Sequence, residues 1–178
     1  MWEEIKYIRL YNPYRGGRNP DFNKYGKFSE MILSLKRGEQ IGINYLYKTI
    51  INNKNFNEAV KNKVDAIVVV PSHNPYKTNS GIKSLAKKIA QEYNWIDGTD
   101  CLQRIIFIQK LADGGNRNID VHLKSIKLVN HTKIKDKCVL LIDDISSTGN
   151  SLEACKRILI ENEILNGFTF AIGKTAHY

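Results

Sequence analysis

The sequence predicts an α/β protein built on a parallel sheet, and three observations carry that reading. Two short, uninterrupted apolar runs, Ala66–Val70 and Val139–Ile142, have the character of strands buried on both faces. Segments with apolar residues at helical spacing lie between the strands, the alternation expected of a parallel sheet with helical crossovers. The length of 178 residues suits one domain that buries its own core, and the three cysteines, with no CxxC pair, indicate neither a disulfide scaffold nor a zinc ribbon.

Along the chain, Ile5–Tyr11 reads as a first strand rich in aromatic and β-branched residues, and 12–24 as a Gly/Pro/Asn loop. Phe28, Ile32 and Leu35 keep one helical face, which Gly38 closes. Ile41–Ile51 is a second amphipathic stretch, and Phe56–Val60 continues it after a polar break. Ala66–Val70 is a central strand ending at Pro71, and Ser80–Tyr93 is a helix with Ile82, Leu85, Ala86 and Ile89 inward. Cys101–Ile108 is partly strand, and Gln109–Asp120 a polar loop containing glycine. Ser125–Val129, Val139–Ile142 and Phe168–Ile172 complete the strands, with a helix over Leu152–Ile164. The pattern amounts to a Rossmann-like parallel sheet flanked by helices. No repeat or linker divides the chain, so 1–178 is expected to form one domain, with 1–64 as a helical N-terminal part and 65–178 as the core.

Net charge is +9, all of it in residues 1–89, which hold 16 Lys/Arg against 7 Asp/Glu; residues 90–178 are balanced. A basic half suits nucleic acid or an anionic small molecule. Twenty of the 27 bases are lysine in a chain also crowded with Asn and Ile, and no basic recognition motif is present, so a solvated basic surface takes precedence over a nucleic-acid groove. No apolar run is long enough to span a membrane, and the acidic start MWEEIKYIRL is unlike a signal peptide; a cytoplasmic protein is expected.

The segment richest in chemistry is Val139–Ser151, VLLIDDISSTGNS. Four apolar residues end in Asp143 and Asp144, which places two carboxylates at the C-terminal edge of a parallel sheet, where open α/β folds bind ligands. Ser146, Ser147, Thr148 and Ser151 follow with hydroxyls, Gly149 permits close backbone approach, and a helix begins at about Asn150. Carboxylates accept hydrogen bonds from sugar hydroxyls, while hydroxyls and helix N-terminal amides hold a phosphate. One loop therefore suits a phosphorylated sugar. The plain alternative is a pair of ordinary strand-end acids followed by a Ser/Thr helix cap. Neither a Walker A loop nor a G-x-G-x-x-G dinucleotide fingerprint is present.

VLLIDDISSTGNS resembles the phosphoribosyl pyrophosphate (PRPP) signature of type I phosphoribosyltransferases. Residues 25–50, with the L-K-R-G element Leu35–Gly38, are similar to the N-terminal helices of the ComF-like competence-protein branch of that family. VVVPSHNPYKTNSGI, residues 68–82, resembles its P-x-H segment and the glycine ten residues after the proline. Arg104, Gln109 and Arg117 match the spacing of its mobile-loop residues, and Ile126 falls where that branch has an apolar strand residue.

The resemblance implies a type I phosphoribosyltransferase fold with a small N-terminal hood, and transfer of 5-phosphoribosyl from PRPP·Mg²⁺ to a nucleobase or amine nitrogen with release of pyrophosphate. Asp143 and Asp144 would act catalytically by binding the ribose hydroxyls, and would meet Mg²⁺ through water or PRPP. Ser146, Ser147, Thr148, Gly149, Asn150 and Ser151 would hold the 5-phosphate. Pro71, Ser72 and His73 would meet the pyrophosphate through a backbone loop that is often strained. Lys77, Lys110 and Arg117 are further candidates for pyrophosphate contact, each weighed against an ordinary solvated loop cation, and the loop 105–124 would close over the substrate. Tyr11, Tyr14, Phe22 and Tyr25 around Arg15–Arg18 would form a base-stacking hood, or simply pack on the first helix.

The chain departs from the family at several points. It lacks the zinc ribbon of the ComF-like branch; Ser147 stands where 6-oxopurine salvage enzymes carry an aspartate; and Ile106 replaces a loop hydroxyl residue. His122, His131 and His177 read as surface residues, and Trp2 and Trp95 as packing. A non-catalytic PRPP or nucleotide-binding regulator and a nucleic-acid-binding relative of the same fold are the alternatives, and a homodimer is open.

Overall fold

Every strand pair of the main sheet runs parallel, the arrangement expected from the apolar runs. The computed structural model describes residues 1–12, 26–76, 80–108 and 118–176. In chain order these form β1 (Trp2–Ile5), β2 (Arg9–Tyr11), α1 (Gly26–Arg37), α2 (Gln40–Ile51), α3 (Lys54–Val60), β3 (Ala66–Val69) and α4 (Gly81–Tyr93). Then come β4 (Ile96–Asp97), β5 (Leu102–Arg104), α5 (Ile119–Ser125), β6 (Ile126–Leu128), β7 (Val139–Ser146), α6 (Asn150–Glu161) and β8 (Gly167–Thr175). The main sheet has the order β1-β8-β7-β3-β4, with β2 also on β8. Val69 lies opposite Ile142, and Ile142 opposite Phe170.

Alternation along the strands divides the core into two. On one face Ile67, Val69, Leu140, Ile142, Phe168 and Phe170 meet Ile32 and Leu35 of α1, Leu46 and Ile50 of α2, Phe56 of α3 and Leu85 of α4. On the other, Val68, Val139 and Leu141 meet Leu152, Cys155 and Leu159 of α6, with Leu102 and Ile126. Burial on both faces is why β3 and the start of β7 are apolar without interruption. Residues before and after position 64 share the first cluster, so the N-terminal helices and the sheet form one packed body.

Helix α1 is gripped closely at its C-terminal end. A Cβ on Gly81, at the start of α4, would lie 1.9 Å from the Leu35 carbonyl oxygen, and one on Gly42 of α2 would lie 2.6 Å from the Leu35 amide nitrogen. Both contacts are backbone to backbone and exist only because these positions lack side chains.

Several expectations need correction. Ile5–Tyr11 is not one strand. β1 and β2 lie successively along β8, with Lys6, Tyr7 and Ile8 between them and the Ile8 amide donating to the Ile172 carbonyl at 3.0 Å. At a sheet edge such a departure sacrifices few ladder bonds. The strand expected at Ser125–Val129 is not in the parallel sheet; β6 pairs antiparallel with β5 in a separate two-stranded sheet, Gln103 opposite Lys127. The end of the expected 109–120 loop is helical, because Asn118 caps α5 by accepting from the Asp120 amide at 3.0 Å. β4 has only two residues and no periodicity from which to read it. Among the described residues no helix is long and apolar enough to cross a membrane.

Candidate functional site

The chain leaves β3 and β7 in opposite directions. α4 follows β3 and leads outward to β4, packing on the α1 side; α6 follows β7 and leads outward to β8, packing on the other face. Adjacent strands that diverge in this way open a crevice at their C-terminal ends, the place where open α/β sheets bind ligands. Pro71, Ser72 and His73 enter it from β3, and Asp143 and Asp144 from β7. The two segments that the sequence singled out independently are thus brought together.

β7 runs to Ser146, four residues beyond the apolar run. Its ladder to β8 pairs Asp143 with Ala171 and resumes with Ile145 opposite Gly173. The Asp143 Oδ1 accepts a hydrogen bond from the Asp144 amide at 2.8 Å. Asp144 Oδ2 lies 3.5 Å from Lys36 Nζ, which reaches over from the last turn of α1. Burial, and then repulsion from Asp144, push the Asp143 carboxyl above the ordinary carboxylate range; Lys36, the Asp144 amide and Arg104 pull the other way without offsetting this. Burial opposes the charge on Lys36, but the two aspartates outweigh it and raise its affinity for the proton.

The loop after β7 does not behave as a Ser/Thr helix cap. The N-cap of α6 is Gly149, in the left-handed region at φ +80°, and no side chain caps the helix. Ser147 Oγ instead lies 2.6 Å from Thr175 Oγ1 at the end of β8. Thr148 Oγ1 accepts a long bond, 3.5 Å, from the Asn150 amide. Glu153 is the first amide to find a carbonyl, that of Gly149 at 2.9 Å. The amides of Ser151 and Leu152 have no partner among the described residues, as expected for the first turn of an uncapped helix. Ser146, Ser151 and Asn150 are partly exposed around it, and Ser147 and Thr148 are exposed.

The sequence missed one organising residue. Arg104, matched by spacing to a mobile-loop position, is a buried member of β5. Its Nε donates to the Ser72 carbonyl at 3.0 Å, one terminal nitrogen to the Pro71 carbonyl at 3.4 Å, and the other to Ser125 Oγ at 2.5 Å. Arg104 therefore ties the loop after β3 to β5 and α5. Burial pulls its pKa down, and the nearby Cys155 and Asp143 oppose that. The loop is further fixed by the Asn74 amide donating to Ser72 Oγ at 3.1 Å and the Ile108 amide to the His73 carbonyl at 3.2 Å. The His73 ring meets Phe107 edge-on at 6.0 Å. Its peptide bonds are trans and no φ in it is positive, so the strain implied by the resemblance is not present here.

No protein-family model matches the chain, and no curated protein matches it significantly.

The remaining candidates divide plainly. Lys77, Lys110 and Arg117 lie outside the described residues, as do Gln109, Tyr14, Arg15–Arg18, Phe22 and Tyr25. Tyr11 belongs to β2 and is buried, so it is not an exposed hood aromatic. His122, read as a surface residue, is buried on α5, and neither ring nitrogen is hydrogen-bonded among the described residues. Burial, and then the Arg104 charge, hold its pKa below the ordinary histidine value. A cleft of about 580 Å³ opens at the opposite end of the sheet, among Val64, Asp65, Trp95 and Lys137. It brings no acid pair to a helix N-terminus, and the chemistry favours the crevice.

Among the described residues no three metal-ligating side chains gather, so a cage made wholly of protein is not formed. Mg²⁺ does not require one, because it keeps several waters and is held by one or two carboxylates together with substrate phosphates. The upward push on Asp143 from Asp144 reflects crowded negative charge that a divalent cation would relieve. The pair fits Mg²⁺ held jointly with an anionic ligand.

Proposed function

We propose that this protein binds PRPP with Mg²⁺ at the crevice between β3 and β7 and transfers its phosphoribosyl group to a nitrogen nucleophile. The observation that carries the reading is the placement of Asp143 and Asp144 at the sheet's switch point, directly before the uncapped N-terminus of α6.

In this reading Asp143 and Asp144 accept hydrogen bonds from the ribose 2′- and 3′-hydroxyls. The Ser151 and Leu152 amides, with the hydroxyls of Ser147 and Thr148, hold the 5-phosphate where the helix dipole favours an anion. Three or four charge-assisted bonds of about 1.5–3 kcal/mol each suffice for micromolar binding. The Pro71–His73 loop, held in shape by Arg104, meets the pyrophosphate. Asp143 and Asp144 would hold Mg²⁺ jointly with PRPP, and the ion would supply charge neutralisation for the departing pyrophosphate. The C1–O bond breaks with its electron pair leaving on pyrophosphate, the acceptor nitrogen's lone pair forms the C1–N bond, and the nitrogen gives up its proton to solvent. The protein's contribution is to position the ribose and to stabilise developing charge. A nucleobase or an amine would satisfy this chemistry.

Calorimetric titration of PRPP with Mg²⁺ into the wild-type chain and the Asp143→Asn/Asp144→Asn double variant tests the site. Micromolar binding by the wild type and its loss in the folded double variant are expected; equal binding by both would overturn the assignment. Pyrophosphate release when nucleobases and amines are supplied separates the enzyme from a regulator, which would bind without turnover.

A further inference from the structure

The acid pair has a second wall that no part of the phosphate loop supplies. Lys36 Nζ stands 3.5 Å from Asp144 Oδ2, and its side chain remains 42% exposed, so the ammonium meets the carboxylate without being sealed into the core. Its backbone is held tightly. The neighbouring Leu35 is buried completely, and Gly81 and Gly42 press against the Leu35 backbone from α4 and α2. Ser34 Oγ donates to Glu39 at 2.7 Å and accepts from the Gly42 amide at 3.1 Å, locking the turn that follows. A lysine on a frayed helix end is a floating charge; this one projects from a closely packed turn, which is how functional groups are held to a fixed geometry.

The side from which Lys36 arrives decides what it would touch. It comes from the face on which α4, the helix that follows β3, also packs. The N-terminus of α6, which would hold the 5-phosphate, belongs to the opposite face. We propose that Lys36 is a ligand-contacting residue at the leaving-group end of the site: it neutralises Asp144 when the site is free and turns to the pyrophosphate when PRPP is bound. This deepens the PRPP reading and rests on it.

The test compares three probes, each with Mg²⁺: PRPP, pyrophosphate, and ribose 5-phosphate, which lacks the leaving group. In Lys36→Met the affinity for PRPP and for pyrophosphate should fall about tenfold or more, the worth of one charge-assisted hydrogen bond, while ribose 5-phosphate binds as it does to the wild type. Lys36→Arg should recover most of the loss, and circular dichroism establishes that each variant is folded. A uniform loss for all three probes would overturn the proposal in favour of a purely structural lysine. Unchanged PRPP binding in Lys36→Met, with loss in the Asp143→Asn/Asp144→Asn variant, would overturn it and leave the PRPP site standing. No binding of PRPP by the wild-type chain would overturn both.

Discussion

Asp143 and Asp144, adjacent in the chain, both feel the charge of Lys36, but it is Asp144 that Lys36 pairs with, at 3.5 Å. Asp143 is reached in addition by the charge of Arg104 of β5 and by the Asp144 amide, and it lies near Cys155 of α6. The pair is therefore not one symmetrical patch. Asp144 is neutralised from the helical layer, while Asp143 sits deeper, where its negative charge is costly.

That cost gives Asp143 a pH signature. Its proton is held more tightly in the folded protein than in the unfolded chain, where the ordinary value is about 3.9. Above roughly pH 4 the unfolded state therefore binds fewer protons than the folded one, and wild-type stability declines as pH rises toward the elevated folded value. Asp143→Asn removes this dependence. The variant should gain on the wild type progressively between pH 4.5 and 8, reaching about 1–3 kcal/mol in urea unfolding at the upper end. A difference independent of pH would show that Asp143 is not strained in this way.

Among the described residues Arg104 has three neutral acceptors and no carboxylate in hydrogen-bond contact. Arg104→Met leaves the Pro71 and Ser72 carbonyls and the Ser125 hydroxyl without their donor, at an expected cost of about 2–4 kcal/mol. Arg104→Lys should recover less than half of that, since an ammonium cannot span acceptors on two elements as a planar fork does. Denaturant midpoints of the three proteins decide it; equal stability of Lys and Arg at this position would refute the bridging role.

His122 is the converse case, a buried side chain whose polarity brings no return. With neither nitrogen bonded among the described residues, replacement by leucine should be stabilising, by about 1 kcal/mol at pH 7.5. The folded protein resists protonating His122, so the unfolded chain takes up the proton as pH falls through about 6.5, and wild-type stability is lost below that value. The advantage of His122→Leu should therefore be larger at pH 5.5 than at 7.5. Melting temperatures at the two pH values test this, and a leucine variant less stable at both would contradict it.

Much of this was legible in residue order. Ala66–Val70 and Val139–Ile142 announced central strands, since burial on both faces leaves no room for polar residues. The start of α6 at Asn150 followed from the glycine and hydroxyl run before it. Weak or local signals failed: β4 is two residues long, β1 and β2 are edge pieces, and α5 lies in a stretch whose composition read as loop. Arg104 and His122 were misplaced for one reason. Burial of a polar side chain is decided by what packs over it, and neither spacing nor composition records that.

The sequence by itself determined that the chain folds as a parallel α/β sheet and that an acid pair followed by a glycine-hinged helix start stands at its edge, because strand and helix periodicities and turn residues are local properties. Only the tertiary structure decided that β3 and β7 are neighbours whose helices diverge, so that Pro71–His73 and Asp143–Asp144 share one crevice. It alone brought Lys36 to Asp144 across 108 residues of chain, and Arg104 beneath the Pro71–Ser72 carbonyls. Those contacts come from ridges, glycine gaps and the handedness of crossovers, quantities that exist only once the layers are packed.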